Sequence, residues 1–303
     1  MPTSPVRFSL LALMLLTVYL GSAKADNKSQ TLTGIARFDD GNMSVTLPAK
    51  FTQAHILVET TINGRGPYYL ALDTGASVST VAPGFISNVL KLTPKKEMNE
   101  RKWPYVDVSL RVPGVDVTNQ RFFPVIDYMV EAGVAICGIL GYDFIQHFVL
   151  EIDYFHKTVT LHDPKSYHYS DENDLGTQFL PFTLEGLAPH IKLNVRFGQV
   201  EPVMIKALID TGSGHALLFT EEAKKRLRIE GQVLKDAQLG SIIIHPSGSG
   251  IHRPNALSKP PFTFDALLGN PAFENMKVVF DYPNKRIITA YPFKNESEKI
   301  CCN

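Results

Sequence analysis

The feature that most constrains this chain is an internal repeat. The stretch GILGYDFIQHFVLEIDYFHKTVTLHDP, which begins at Gly138, aligns without a gap with ALLGNPAFENMKVVFDYPNKRIITAYP, which begins at Ala266. Upstream of each copy, an extended apolar segment leads into Asp-Thr-Gly, as LALDTGAS around Asp73 and as ALIDTGSG around Asp210. Two such copies in one chain predict two similar lobes that pack about a pseudo-two-fold axis.

Local patterns indicate that most of each half is strand. Val106, Val108 and Leu110 alternate with polar residues, which is the period of a half-buried strand. One clear helix is predicted over residues 220–231, with Thr220 as its N-cap and Gly231 at its end, and its counterpart is predicted over residues 83–92. We therefore expect a mostly β fold in two similar halves, and the family resemblance described below implies that these are two tandem β-barrel lobes.

The N-terminus has the pattern of a signal peptide. Arg7 supplies the positive charge, residues 8–20 form an unbroken apolar run, and Ala23-Lys24-Ala25 matches the small-x-small cleavage pattern. A run of this length is short for a spanning helix, which needs about 20 residues. We expect an exported protein, periplasmic or secreted, with no stable membrane anchor after cleavage.

Composition shifts divide the rest of the chain. A polar stretch without periodicity between the repeats predicts a linker. Residues 26–50 precede the repeat and predict an extra hairpin around Asp39-Asp40-Gly41. The predicted units are a signal peptide (1–25), an N-terminal lobe with Asp73 (26–163), a linker (164–178), a C-terminal lobe with Asp210 (179–293) and a polar tail (294–303).

Charge and composition exclude several classes of protein. Lys and Arg total 30, as do Asp and Glu, so the balanced charge gives no reason to expect nucleic-acid binding. Serine-hydrolase, zincin and phosphate-loop motifs are absent, and the His and Asp residues of the linker lack metal-ligand spacing. We expect no metal and no cofactor.

The paired Asp-Thr-Gly segments point to acid–base chemistry. One copy alone would be explained as an aspartate that caps a turn. Two copies at equivalent places in a repeat suggest that Asp73 and Asp210 meet, and two adjacent carboxyl groups share a single proton. The ionised member can take a proton from water while the other donates to a carbonyl oxygen, which hydrolyses an amide.

The residues that follow each aspartate are predicted to support this pair. Gly75 and Gly212 allow the backbone to turn its amides toward the carboxylates, and Thr74 and Thr211 carry hydroxyls that can bond across to the other loop. Ala76 in one copy corresponds to Ser213 in the other. A hydroxyl at Ser213 would favour the ionised form of its carboxylate, so we expect Asp210 to be ionised and Asp73 to hold the proton.

The segments LALDTGAS, ALIDTGSG, GILGYDF and ALLGNPA resemble the aspartic peptidases of the retropepsin and pepsin type. The resemblance is greatest to exported bacterial members with two retropepsin-like repeats, and it covers about residues 50–293. It implies a bilobal fold with Asp73 and Asp210 as the catalytic pair in a central cleft. It also implies that Gly141 and Gly269 lie on the ψ-shaped strands beneath the aspartates.

The resemblance implies an endopeptidase that acts as a monomer on a polypeptide in the inter-lobe cleft. The alternative is a module of the same fold that binds peptides or proteins without cutting them. Residues 241–253 and 93–106 are both candidates for the hairpin that covers the substrate, although ordinary surface loops are at least as good an interpretation. His55 and His190 occupy matching repeat positions and are predicted to have structural roles.

Overall fold

The computed structural model describes residues 34–96, 103–169, 176–198, 201–229, 233–244, 250–251 and 263–290. The predicted signal peptide and polar tail lie outside these ranges. Within them, no helix combines the length and the apolar character that a membrane crossing requires.

The first half of the chain is built of short strands, as the alternation predicts. It contains a short π-type helix at Phe85–Leu90 and one helical turn, α1 (Tyr142–Ile145). The strands are β1 (Ile35–Phe38), β2 (Ser44–Leu47), β3 (Ala49–Phe51), β4 (Ile56–Ile62), β5 (Arg65–Leu72), β6 (Thr80–Val81), β7 (Lys95–Lys96), β8 (Pro104–Val112), β9 (Val115–Pro124), β10 (Met129–Glu131), β11 (Val134–Leu140), β12 (Val149–Asp153) and β13 (Thr158–His162).

The second half repeats this order with shorter connections. Its helix is α2 (Glu221–Leu227), and a 3₁₀ turn at Asn270–Phe273 takes the place of α1. Its strands are β14 (Gln178–Pro181), β15 (Thr183–Glu185), β16 (Ala188–Phe197), β17 (Val203–Asp210), β18 (Leu217–Phe219), β19 (Leu234–Leu239), β20 (Ile242–Ile244), β21 (Gly250–Ile251), β22 (Ala266–Gly269), β23 (Lys277–Asp281) and β24 (Arg286–Ala290).

Three sheets hold the two lobes. The first lobe has a ten-stranded sheet that includes β4, β5, β8, β9 and β11, and the second has an eight-stranded sheet that includes β16, β17, β19 and β22. A six-stranded inter-lobe sheet in the order β14-β24-β23-β12-β13-β2 takes three strands from each half. Its central pair, β12 and β23, joins the lobes antiparallel, and Leu150 lies opposite Phe280. Each half thus contributes equivalently, as a pseudo-two-fold arrangement requires.

The same crossing occurs beneath each Asp-Thr-Gly. In the first lobe β11 lies parallel to β5 and antiparallel to β6, so that Leu140 pairs with Leu72 just before Asp73. In the second lobe β22 lies parallel to β17 and antiparallel to β18, so that Gly269 pairs with Asp210. These strands are buried on both faces, which explains their unbroken apolar sequences.

Two local expectations, the hairpin within residues 26–50 and the end of the helix at Gly231, are corrected by the structure. Residues 26–50 do not form a hairpin where they are described, because β1 pairs with β9 and β2 pairs with β13. Helix α2 has Thr220 as its N-cap, whose hydroxyl accepts the N–H of Ala223, but it ends at Arg228 in the left-handed conformation rather than at Gly231. In the predicted linker, Tyr167 and Tyr169 pack on an apolar cluster of the inter-lobe sheet.

Candidate active site

The two Asp-Thr-Gly segments meet at the centre of the molecule. Asp73–Ser79 is loop 1 and Asp210–Ala216 is loop 2, and each begins where β5 or β17 ends. The two aspartates are each 6% exposed, and their side chains are hydrogen-bonded to one another. Two carboxyl groups in contact cannot both ionise, so the pair holds a proton between them.

A glycine of each loop packs on the carboxyl group of the other. A Cβ at Gly75 would lie 2.8 Å from Cγ of Asp210, and one at Gly212 would lie 2.6 Å from Oδ2 of Asp73. Both distances are far inside van der Waals contact. Glycine is required at these positions because the backbone must approach the opposite acid, which the repeat alone did not reveal.

Thr74 and Thr211 make four hydrogen bonds across the lobes. Thr74 N–H donates to Oγ1 of Thr211 (3.0 Å), and Thr211 N–H donates to Oγ1 of Thr74 (3.1 Å). Each hydroxyl in turn donates to the strand of the other lobe, at Ile209 O (2.9 Å) and Leu72 O (2.8 Å). This confirms the predicted bonding across the loops and fixes the position of both aspartates relative to one another.

Gly141 and Gly269 lie beneath the two loops, where the crossing strands end. A Cβ at Gly141 would lie 2.6 Å from the carbonyl oxygen of Val78, and one at Gly269 would lie 2.4 Å from that of His215. Asp73 N–H donates to Leu140 O at 3.0 Å, so the crossing strand holds the first aspartate directly. The two glycines are therefore needed for close packing of strand against loop.

The two carboxyl groups are not equivalent. Burial raises the pKa of both, and the charge of Asp73 raises the pKa of Asp210 further, well above its usual range. Asp73 Oδ1 accepts the N–H groups of Gly75 (2.8 Å) and Ala76 (3.1 Å), whereas Asp210 accepts that of Gly212 (2.8 Å). Donors stabilise the ionised form, so this difference favours ionisation of Asp73 and the proton on Asp210.

The contact from which we drew the opposite assignment, a bond from Ser213 to the Asp210 carboxylate, is not seen among the described residues. The Ser213 hydroxyl accepts the N–H of His215 at 3.4 Å, and the Ser213 N–H donates to the backbone oxygen of Asp210 at 3.1 Å. Within the described part of the chain, no hydrogen bond joins that hydroxyl to the Asp210 carboxylate. The extra donor for a carboxylate comes instead from the backbone of Ala76, a contact that the identity of a side chain cannot predict.

A buried polar cluster supports loop 1, and the described residues around loop 2 form no equivalent cluster. Asp143 Oδ1 accepts the N–H (2.8 Å) and hydroxyl (2.6 Å) of Ser79, while its Oδ2 accepts the amide of Gln120 at 3.0 Å. Burial raises the pKa of Asp143 to about 6. The matching residue in the second repeat is Pro271. Sequence reasoning missed this cluster, although an aspartate within GILGYDF could have suggested it.

Small apolar clusters lie in both lobes next to the strands that carry the loops. In the first lobe one comprises Ala76, Val125, Ile126 and Ile139, and in the second lobe one comprises Ala188, Leu208, Leu218, Phe264 and Leu267. Burial in such surroundings disfavours the charged form of a carboxyl group, which is why it raises the pKa of both aspartates.

The candidate covering hairpins are not equivalent to one another. Strands β7 and β8 pair, with Lys95 opposite Tyr105, so residues 93–106 include a hairpin whose tip lies outside the described residues. Residues 241–253 instead include β20 and β21, and much of this segment is likewise outside the description. Since β21 lies parallel to β18 as β9 does to β6, the second segment corresponds to β9.

His55 and His190 were predicted to occupy matching repeat positions, but the strand registers place them two residues apart relative to the aspartates. His190 lies opposite Leu208 in the sheet, whereas the β4–β5 register of Leu57 with Ala71, continued by two residues, places His55 opposite Asp73. The position in the second lobe that corresponds to His55 is therefore Ala188. No cluster of ligand-type residues suited to a metal ion occurs in the ranges that the structure describes.

Comparison with known proteins identifies the fold. No family model and no curated protein matches the sequence. Among solved structures, an aspartic proteinase from Irpex lacteus matches with a TM-score of 0.51 and 14% identity over 84% of this chain and 99% of that chain. Basic 7S globulin from soybean matches with a TM-score of 0.52 and 10% identity, over 82% and 95%. The chain thus has the bilobal, mostly β fold of the aspartic proteinases, with two tandem β-barrel lobes about a pseudo-two-fold axis.

Proposed function

We propose that this protein is an aspartic endopeptidase in which Asp73 and Asp210 hydrolyse peptide bonds. The observation that supports the proposal most strongly is the contact between two buried carboxyl groups with unequal numbers of donors. A protein that only binds peptides has no use for two acids whose burial costs stability.

The two acids divide the work in the proposed mechanism. Asp73, ionised, takes a proton from a water molecule as that water attacks the scissile carbonyl carbon, and Asp210 donates its proton to the carbonyl oxygen. The product is a neutral tetrahedral diol, and the charge now lies on Asp210. Asp210 then takes a hydroxyl proton as the carbon–nitrogen bond breaks, and Asp73 gives its proton to the leaving amine, which restores the starting state.

The position of the acids favours a polypeptide substrate. Each lobe supplies one of the two acids and the threonines join the two loops, so we propose that an extended peptide binds where the lobes meet. One chain supplies both acids, so the site needs no second copy, and we propose a monomer. We also propose that the protein acts after export, in the periplasm or outside the cell, as the pattern of residues 1–25 suggests.

The test is cleavage of a diverse peptide mixture from pH 3 to pH 8, analysed by mass spectrometry. Asp73→Asn and Asp210→Asn should each lower kcat/KM by about 10³-fold or more, because each removes an acid or base of the reaction. Asp116→Asn is the matched control, since Asp116 is an exposed partner of Arg111 far from both loops in the sheet. Equal cleavage by the wild type and Asp73→Asn would disprove the proposal.

A binding module is the second candidate, because the same fold occurs in a protein named as a globulin. In that case the wild type would bind peptides without cutting them at any pH. Peptide binding would then be measured by calorimetry for the wild type and for Asp73→Asn. Saturable binding with no product in either sample would favour this candidate over the peptidase.

A further inference from the structure

His55 lies where it can act on one aspartate of the pair and not on the other. Continuing the β4–β5 register from Leu57 and Ala71 places His55 opposite Asp73 on the same face of the sheet. Its side chain is 10% exposed, and its positive charge lowers the pKa of Asp73 against the larger effect of burial. His55 is thus a buried, ionisable side chain level in register with a buried carboxylate.

Glu131, at the end of β10, holds His55 in this place. Its Oε2 contacts Nδ1 of the imidazole and its Oε1 accepts the N–H of Ala54 at 3.0 Å. Burial raises the pKa of Glu131, but the hydrogen bond from His55, together with the smaller effects of its charge and of other donors, outweighs this effect and holds that pKa below its usual range. The carboxylate therefore fixes the orientation of the ring through Nδ1.

The turn that carries His55 also touches the second lobe. Ala54 O accepts the side-chain amide of Asn270 at 2.8 Å, and the same amide donates to Thr211 O at 2.6 Å. A Cβ at Gly214 would lie 2.9 Å from Cβ of Ala54. The turn is therefore held against loop 2 as well as against Glu131, which leaves the imidazole little freedom to move.

The second lobe has no such arrangement. The residue that lies opposite Asp210 by the same register is Ala188, and His190 lies two residues further, opposite Leu208. Burial lowers the pKa of His190 to about 4, and its Nδ1 is 3.0 Å from the backbone oxygen of Ala188. A histidine is thus present in both lobes, but among the described residues only that of the first lobe is level in register with an aspartate.

We propose that His55, held by Glu131, is a positioning residue that keeps the negative charge of the pair on Asp73. The inference rests on the proposed function for the role of Asp73 as base, but the charge distribution itself can be measured without activity. The charged and titratable groups around His55 are Glu131 and Asp73, with Asp210 beyond it; Lys157 and Glu274 line the same cavity of about 260 Å³.

The experiment is a titration of ¹³Cγ-labelled aspartate by NMR, with the signals of the pair assigned through Asp73→Asn and Asp210→Asn. In His55→Gln, which removes the charge but keeps a polar side chain, the lower apparent pKa of the pair should rise by about one pH unit. His190→Gln is the matched control in the other lobe and should leave it unchanged. A structural role for His55 would alter thermal stability without moving this pKa.

An unchanged titration in His55→Gln, or an equal shift in His190→Gln, would overturn the proposal. If His55→Gln does not fold, Glu131→Gln serves instead, because it removes the carboxylate that fixes the orientation of the ring and should shift the pair in the same direction. No shift in that variant would equally overturn it. A shifted titration in a chain that cleaves no peptide would sustain this inference and reject the proposed function.

Discussion

Loops 1 and 2 have the same backbone contacts but different surroundings. In both, a threonine donates its hydroxyl to the other lobe, and a glycine packs on the opposite carboxyl group. Loop 1 alone has a second backbone donor to its aspartate, a nearby histidine and the cluster around Asp143. Loop 2 has Pro271 and Ala188 at the corresponding places.

The difference shows how one repeat can produce an acid and a base. The shared contacts bring two identical carboxyl groups together, and shared contacts alone would leave them equivalent. Donors and positive charge concentrated at loop 1 favour ionisation there, which leaves the proton on the other acid. Duplication thus provides the pair, and the differences acquired by each half assign the roles.

The largest loss of activity is expected from substitutions at the two glycines that both loops share. Gly75→Ala and Gly212→Ala would each place a methyl group inside contact distance of the opposite acid, at 2.8 Å and 2.6 Å. Displacement of the acids should lower kcat/KM by about 100-fold or more in both variants. Peptide cleavage near the pH optimum of the wild type measures this.

Gly84→Ala is the control for these two variants, because the atom nearest to the new Cβ would lie 3.6 Å away, which is an ordinary van der Waals contact. It should retain wild-type cleavage. Full activity in either loop variant would contradict the close approach of loop and acid.

A second effect should appear in the first lobe alone. Asp143 has its folded-state pKa raised from 3.8 to about 6, so its contribution to stability is fully present below pH 4 and is lost as pH rises through 6. The loss between pH 4 and pH 7 should be on the order of 3 kcal/mol. Asp143→Asn resembles the protonated acid, and rotation of the Gln120 amide would let its unpaired Oε1 accept the new N–H.

Urea unfolding at pH 4, 5.5 and 7 measures this, and the difference between wild type and variant isolates the one group. The free energy of unfolding should fall less with pH in Asp143→Asn than in the wild type. Parallel pH profiles would show that Asp143 does not titrate in this range in the folded protein.

A third prediction compares how much Thr74 and Thr211 each contribute to the free energy of unfolding. Thr74→Val and Thr211→Val each leave a buried N–H without its acceptor, which should cost about 2 kcal/mol of unfolding free energy in either lobe. Because the hydroxyls belong to one network, the double variant should cost less than the sum. Unequal single costs, measured by urea unfolding, would show that one lobe depends on the exchange more than the other.

The smallest effect is expected at Ser213. Within the described ranges its hydroxyl accepts a long hydrogen bond from His215 and makes none to Asp210, so Ser213→Ala should leave the acidic limb of the pH–rate profile in place. The free energy of unfolding should change by less than about 1 kcal/mol. A limb displaced to higher pH would restore the assignment of the ionised form to Asp210.

Much of the site follows from repeated residues at repeated spacings. The approach of Asp73 and Asp210, the exchange between Thr74 and Thr211 and the crossing strands that end at Gly141 and Gly269 all correspond to sequence predictions. Such features are predictable because each depends on a short motif that occurs twice, and equivalent motifs in a two-fold arrangement meet at the axis.

Other features of the site could not be predicted from the sequence, because they depend on partners that are distant in the chain. His55 and Glu131 are separated by 76 positions, and Ser79 and Asp143 by 64, with no pattern to connect them. The assumed equivalence of His55 and His190 failed because sequence order does not reveal a two-residue difference in register. The hairpin predicted within residues 26–50 was wrong for a similar reason, because β1 and β2 pair with strands of different sheets.

The sequence by itself determined that this chain has two equivalent strand-rich halves and that each places one aspartate at the end of a buried strand. Only the tertiary structure revealed the unequal surroundings that favour ionisation of one aspartate over the other. The reason is physical: a carboxyl group responds to every donor and charge within a few ångströms, and here those are the backbone of Ala76, the imidazole of His55 and the other acid.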